Sequence, residues 1–206
     1  MQYPNLIIIA GCNGSGKSTF SKSLVNTVLP FDYDKRFLNN YRTLPDSELR
    51  HQFAKQQTIK EFESSIKRAF SNKQDFCYET NFDTHPLTYA GEAKNLGYKL
   101  HLIFYCLESL ELANKRVDIR TENQGHFIPK KTVEYKWKEG YKNLNLHYTF
   151  FDYLLIIDNS KHLQPPSNLL SLTKYDKDDF VLQKFAVPLP DYFEHRFPDI
   201  YKFVNK

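Results

Sequence analysis

The 206 residues, 41% hydrophobic and 25% charged, are enough to bury a substantial core and too apolar for extensive disorder, so one α/β domain over residues 1–206 is expected. The net charge of +4 is spread along the chain without a run of five Lys/Arg, which argues against a nucleic-acid arm and suits a small anionic substrate. Cys12, Cys77 and Cys106 form no close pair and suggest neither a disulfide framework nor a zinc site, while the apolar runs at 6–10 and 153–157 are too short to span a bilayer.

Residues 6–10 are apolar, with β-branched Ile7, Ile8 and Ile9, and read as a buried strand; they break into GCNGSGKST. Gly11, Gly16, Lys17 and Ser18 match the phosphate-loop template of glycine, four free positions and Gly-Lys-Ser/Thr. Cys12, Asn13, Gly14 and Ser15 fill the free positions, Thr19 follows, and all nine residues are expected to meet a nucleotide. Glycines let successive N–H groups converge on phosphate oxygens, Lys17 adds a point charge on the β/γ-phosphates, and the Ser18 hydroxyl is the expected Mg²⁺ ligand. A helix over 18–28 would aim its positive end at the phosphates.

Residues 29–37, LPFDYDKRF, read as a short second strand that delivers Asp34 to the rim carrying the loop. A helix is expected from Asp46 or Ser47 to about Phe70, with Phe53, Phe62, Ile66 and Phe70 as core. The strand in 75–84 ends at a second carboxylate, Glu79. A helix over 87–97 stops at Gly97, and 98–107 reads as a buried strand. On the next helix, 108–121, Arg116 and Arg120 are four apart and share a face, as a phosphate clamp needs. Gly125 and Pro129 break that helix before another at 130–144, and 153–157 reads as the final core strand, ending at Asp158. Residues 161–206 read as an irregular extension of the same domain, with an edge strand in FVLQKF and a short helix within 191–205.

The motifs that are missing narrow the choice. No glycine closes a D-x-x-G segment, and Asn114-Lys115 is followed by aspartate one place too late for the guanine-nucleotide motif. The 153–157 strand leads into Asp158-Asn159 instead of the Asp-Glu of motor ATPases, and the seven histidines form no H-E-x-x-H. A phosphate loop, strand-end carboxylates and helix-borne cations together point to a small-molecule phosphotransferase.

In order, GCNGSGKST, PFDYD, FCYET, GYKLHLIFYCLESLELANKRVDIRTENQGHFIP, YKNL and IIDNS resemble the zeta-toxin family of P-loop kinases over about residues 5–160. The resemblance implies a three-layer α-β-α P-loop NTPase fold with a mostly parallel sheet, similar to nucleotide kinases, and transfer of the ATP γ-phosphate with Mg²⁺ to a hydroxyl. In members with an assigned substrate that hydroxyl belongs to a UDP-N-acetyl-amino sugar. By position, Asp34 matches the base, Glu79 and Thr80 the pair facing the acceptor, Arg116 and Arg120 the phosphate arginines, and His126 the loop after them. The chain has Tyr135-Lys136 where many relatives have two arginines, and Gln124-Gly125-His126 where they have Gly-Gly-His. Lys136 keeps the charge for substrate binding but loses the planar two-pronged grip.

These features imply a cytoplasmic protein with a small-molecule phosphate acceptor and an antitoxin protein as partners, and with no nucleic acid or membrane. Two alternatives stay open: a nucleotide-binding regulatory module with little turnover, suggested by Tyr135-Lys136, and a nucleic-acid end kinase, disfavoured by the absent basic stripe.

Overall fold

Four apolar segments build the parallel part of one sheet: β1 (Asn5–Ala10), β2 (Phe76–Thr80), β3 (Lys99–Cys106) and β4 (Tyr153–Asp158). Such near-continuous apolar runs belong to strands covered on both faces. β5 (Ser167–Lys174) and β6 (Phe180–Lys184) extend the sheet antiparallel, and the spatial order is β2-β1-β3-β4-β5-β6. The computed structural model describes residues 3–24, 28–122, 127–161, 163–176 and 179–205.

The register levels the strand ends. Ala10 lies beside both Thr80 and Phe104, and Cys106 lies beside Asp158, so the segments after β1, β2, β3 and β4 emerge on one rim. The chain leaves β1 for β2 on one side and returns to β3 on the other, and that reversal opens a ligand crevice at the carboxyl ends of β1 and β3. The layers are α, β, α. On one face Ile9, Cys77, Ile103, Tyr105, Leu155 and Ile157 pack with Phe20 of α1 (Lys17–Leu24). The opposite face carries the larger cluster, built by α3 (Arg50–Ser71), α4 (Thr88–Asn95), α5 (Leu110–Glu122), α6 (Lys130–His147) and the chain's last two helices.

Several expectations change. Residues 29–37 hold no strand: Phe31 makes a single bridge to Tyr78, and the chain then enters α2 (Tyr33–Thr43). The cause is local, because Asp32 Oδ1 accepts the Lys35 N–H at 3.0 Å and so caps a helix at the point where a strand was expected. Asp34 therefore sits in a helical first turn, still on the loop rim. α3 starts at Arg50 without a side-chain cap, later than Asp46 or Ser47, and Phe53 is 51% exposed instead of buried. α1 is described to Leu24, and residues 25–27 of the expected helix lie outside the described residues. β4 is not the last core strand, since Leu169, Leu170 and Leu172 of β5 are buried.

Residues 161–206 are more regular than their proline content suggests. Besides β5 and β6 they form α7 (Tyr192–Arg196) and α8 (Pro198–Val204), separated at Phe197-Pro198 because proline lacks an N–H and restricts the residue before it. Phe193, Phe197 and Ile200 are fully buried. Phe197 stacks on Tyr141 of α6 at 5.2 Å between centroids and meets Phe104 of β3 edge-on at 6.0 Å. Among the described residues no helix is long and apolar enough to cross a membrane.

Truncating Phe197 to alanine should cost about 3–5 kcal/mol of stability, the usual range for a buried aromatic. Urea denaturation measures it, and a loss below about 1 kcal/mol would show that α7 and α8 contribute little to the core.

Candidate active site

Along the shared rim lies a cleft of about 1530 Å³ whose walls come from the phosphate loop, α2, α3, the segment after β2, α5, α6 and the turn after β4. Asn13, Gly14, Gly16, Lys17, Ser18 and Thr19 line it; Cys12 and Ser15 are buried behind its surface, and Gly11 is buried too. At two of its glycines the loop has no room for a side chain. Gly14 has φ +80° and a Cβ there would come within 2.7 Å of the Ala113 carbonyl on α5; Gly16 has φ +91° and its Cβ would strike the Asn159 amide.

Lys17 folds over the loop, donating to the Gly11 carbonyl at 2.6 Å and the Cys12 carbonyl at 3.0 Å. Burial lowers its pKa, while Glu79 and Asp34 among the neighbouring groups pull it back up. Burial also pushes the Cys12 and Cys77 thiols up to about 12 and raises Cys106, so all three cysteines are free, buried and chemically quiet.

The expected carboxylates reach the cleft by different routes. Glu79, at the end of β2, accepts from Ser18 Oγ at 2.6 Å and from Ser21 Oγ at 2.8 Å. It is therefore tied to the loop helix. Burial raises its pKa, against the lowering effect of the two serine hydroxyls. Thr80 lines the cleft but its Oγ1 accepts the Phe82 N–H at 3.1 Å, closing a turn. Of the two aspartates in PFDYD, Asp32 is used as a helix cap and Asp34 pairs with Arg120 at 3.5 Å.

Arg116 and Arg120 leave α5 on the same face, as their spacing predicts, and both line the cleft with Lys136 of α6. Arg116 Nη1 is 3.5 Å from the Gly14 carbonyl. Arg120 Nε and Nη2 are buried with no hydrogen-bond partner among the described residues. Buried donors left open in this way are what an anionic oxygen would satisfy. His126 lies outside the described residues.

Two further residues belong to the site: Ser21, buried behind the cleft, and Phe62, in its wall. Ser21 is one helical turn beyond Ser18, a spacing that could have revealed it. Phe62 follows a helical pattern indistinguishable from core, yet it is only half-buried and sits among Phe31, Tyr78 and Tyr89 at 5.1–5.3 Å in a cleft wall. Asp158 and Asn159, which stand where motor ATPases carry Asp-Glu, are engaged in structural contacts: Asp158 accepts from Ser160, and Asn159 Nδ2 donates to the Ser15 carbonyl at 2.9 Å. No group of three or more His, Cys, Asp or Glu suited to a metal occurs among the described residues. A divalent ion here would rest on Ser18, Glu79 and ligand phosphates, as Mg²⁺ usually does.

Sheet order, glycine loop and arginine-bearing helix define a P-loop kinase fold. The family model described as Zeta toxin matches residues 1–163, and the chain belongs to that family. No curated protein matches it significantly. Among solved structures it is similar to a chain of the PezAT chromosomal toxin-antitoxin system of Streptococcus pneumoniae (TM-score 0.55, 16% identity, 81% of this chain and 72% of that one). It is also similar to the AvrRxo1-ORF1:AvrRxo1-ORF2 structure with sulphate ions (0.62, 12%, 87% and 61%). A chain of the Pnkp1/Rnl/Hen1 RNA repair complex gives 0.54, with 25% identity over 74% of this chain. This chain spans 47% of that RNA-repair chain, under half its length.

The raised Glu79 pKa has a testable sign. The folded protein keeps this proton over a pH range in which the unfolded chain has lost it, so stability falls as pH rises through that range. Glu79→Gln removes the ionisation and keeps partners for both serines. Its melting temperature should exceed wild type at pH 7 and match it at pH 4; an equal gain at both would refute the burial argument.

Proposed function

We propose that this protein is a cytoplasmic ATP-dependent kinase that phosphorylates a hydroxyl of a UDP-N-acetyl-amino sugar. The observation that carries the reading is the convergence, in one cleft, of the phosphate loop, the Asp34–Arg120 pair and the open guanidinium donors of Arg120. Bound Mg·ATP supplies the phosphoryl group and neutralises charge on its oxygens; Ser18 and Glu79 would hold the metal. The loop N–H groups and Lys17 hold the donor phosphates, with Lys17 exchanging its carbonyl contacts for phosphate oxygens. Arg116, Arg120 and Lys136 face the transferred group and offset the charge that spreads over it. Asp34 accepts the hydroxyl proton, and its pairing with Arg120 sets base and clamp side by side. Phe31, Phe62, Tyr78 and Tyr89 offer flat apolar faces for a nucleobase on the acceptor side, and Lys55 a charge for its diphosphate.

Similarity to a toxin–antitoxin system supports an antitoxin protein as the macromolecular partner. A second reading, in which the hydroxyl ends an RNA strand, is favoured by the 25% identity with the RNA-repair chain. Radiolabelled transfer from ATP, offered a UDP-N-acetyl-amino sugar and a 5′-hydroxyl oligonucleotide in competition, separates the two.

Arg120→Ala should lower turnover by on the order of 10³-fold while ATP affinity changes far less, and equal losses in both would remove Arg120 from the transfer step. Asp34→Asn should bind ATP as wild type does and transfer nothing; wild-type turnover in that variant would exclude Asp34 as the base.

A further inference from the structure

The family match ends at residue 163, but the segment beyond it reaches the donor site through a chain of hydrogen bonds. α7 sets Tyr192 against the carboxyl ends of β3 and β4, where its hydroxyl lies 3.4 Å from Cys106 Sγ, which in turn donates to the Ile157 carbonyl at 3.3 Å, just before the turn that follows β4. Asp158 is 8% exposed. Its Oδ1 accepts from the Ser160 N–H at 2.9 Å and from the Ser160 hydroxyl, and Ser160 Oγ in turn accepts the Glu108 N–H at 2.8 Å. A closed turn results, with Asn159 at its centre.

Asn159 is 6% exposed and held at both ends. Its N–H donates to the Cys106 carbonyl at 3.1 Å, and its side-chain Nδ2 donates to the Ser15 carbonyl at 2.9 Å. The Ser15 carbonyl and the Gly16 N–H belong to one planar peptide unit and point in opposite directions. Fixing one therefore fixes the other. Gly16 is one of the loop residues whose N–H groups must be aimed at phosphate, and a Cβ there would collide with the Asn159 amide, so the two groups are in close contact.

We propose that Tyr192 and Asn159 are positioning residues for the donor nucleotide: Tyr192 secures the 158–160 turn from the C-terminal segment, and Asn159 of that turn secures the phosphate loop. The proposal rests on the reading that the loop binds ATP. Loss of the Asn159 amide leaves the Ser15 carbonyl buried without its partner and frees the peptide to rotate, an effect of about tenfold in affinity for one hydrogen bond. Tyr192 acts one link further away, and about threefold is expected.

Asn159→Ala, Tyr192→Phe and their double mutant test this by ADP calorimetry and by amide exchange of peptides covering residues 11–18 in the nucleotide-free protein. ADP affinity should fall about tenfold in Asn159→Ala and about threefold in Tyr192→Phe, with faster exchange of the loop in both. The double mutant should lose little beyond Asn159→Ala, because both changes break one chain of contacts. Phe193→Leu is the control: it thins the core of α7 without touching these hydrogen bonds, and should lower the melting temperature with loop exchange and ADP affinity at wild-type values. Wild-type exchange and affinity in Tyr192→Phe, or a Phe193→Leu variant that reproduces the loss, would overturn the proposal. If wild type itself fails to bind ADP, the nucleotide reading falls, and loop exchange alone decides whether Tyr192 and Asn159 hold the loop. Tyr192→Phe removes a single oxygen and carries the test should Asn159→Ala not fold.

Discussion

A backbone loop turning over the end of a parallel sheet, with no room for a side chain at Gly14 or Gly16, is the constraint on which the other features depend. The loop meets the Ala113 carbonyl at Gly14 and the Asn159 amide at Gly16. Those close approaches let α5 and the turn after β4 pack against the loop from two directions, and α5 thereby brings Arg116 and Arg120 to the phosphate side. The level register of β1, β2, β3 and β4 sets all these contacts on one rim.

Charge in the cleft is balanced by pairing, and the pairing is loose where chemistry would need it loose. Lys17 rests on two backbone carbonyls, a neutral arrangement that phosphate oxygens can displace. Asp34 and Arg120 meet at 3.5 Å, near the limit of a hydrogen bond, and leave two guanidinium nitrogens open. Glu79 is different. Held by two serine hydroxyls and made harder to ionise by burial, it is bound into the loop helix more firmly than a residue reserved for an acceptor would be. That geometry ties Glu79 to the loop, while the aromatic wall and Asp34 line the same cleft.

The C-terminal segment belongs to the architecture of the site as well as to the core. α7 and α8 bury Phe193, Phe197 and Ile200 against β3 and α6, the helix that carries Lys136 into the cleft. Tyr141, stacked between Trp137 and Phe197, both receives the Leu107 N–H and donates to the Leu107 carbonyl, which pins the backbone just after β3.

Local chemistry was legible in the sequence. The glycine-lysine-serine loop, the parallel strands with their apolar runs, the shared face of Arg116 and Arg120, and the edge strand in FVLQKF each depend on residues a few places apart. Where the reading failed, a competing local signal won or no local signal existed. Asp32 turned an expected strand into α2 by capping it, and SNLLSLTK gave too weak an alternation to announce β5. The wiring of the site was decided by tertiary structure alone. Ser18 and Glu79 are 61 residues apart, Asp34 and Arg120 86, and Ser15 and Asn159 144. Patterns of neighbouring residues cannot encode such pairs; they exist because the sheet brings the ends of its strands to one rim.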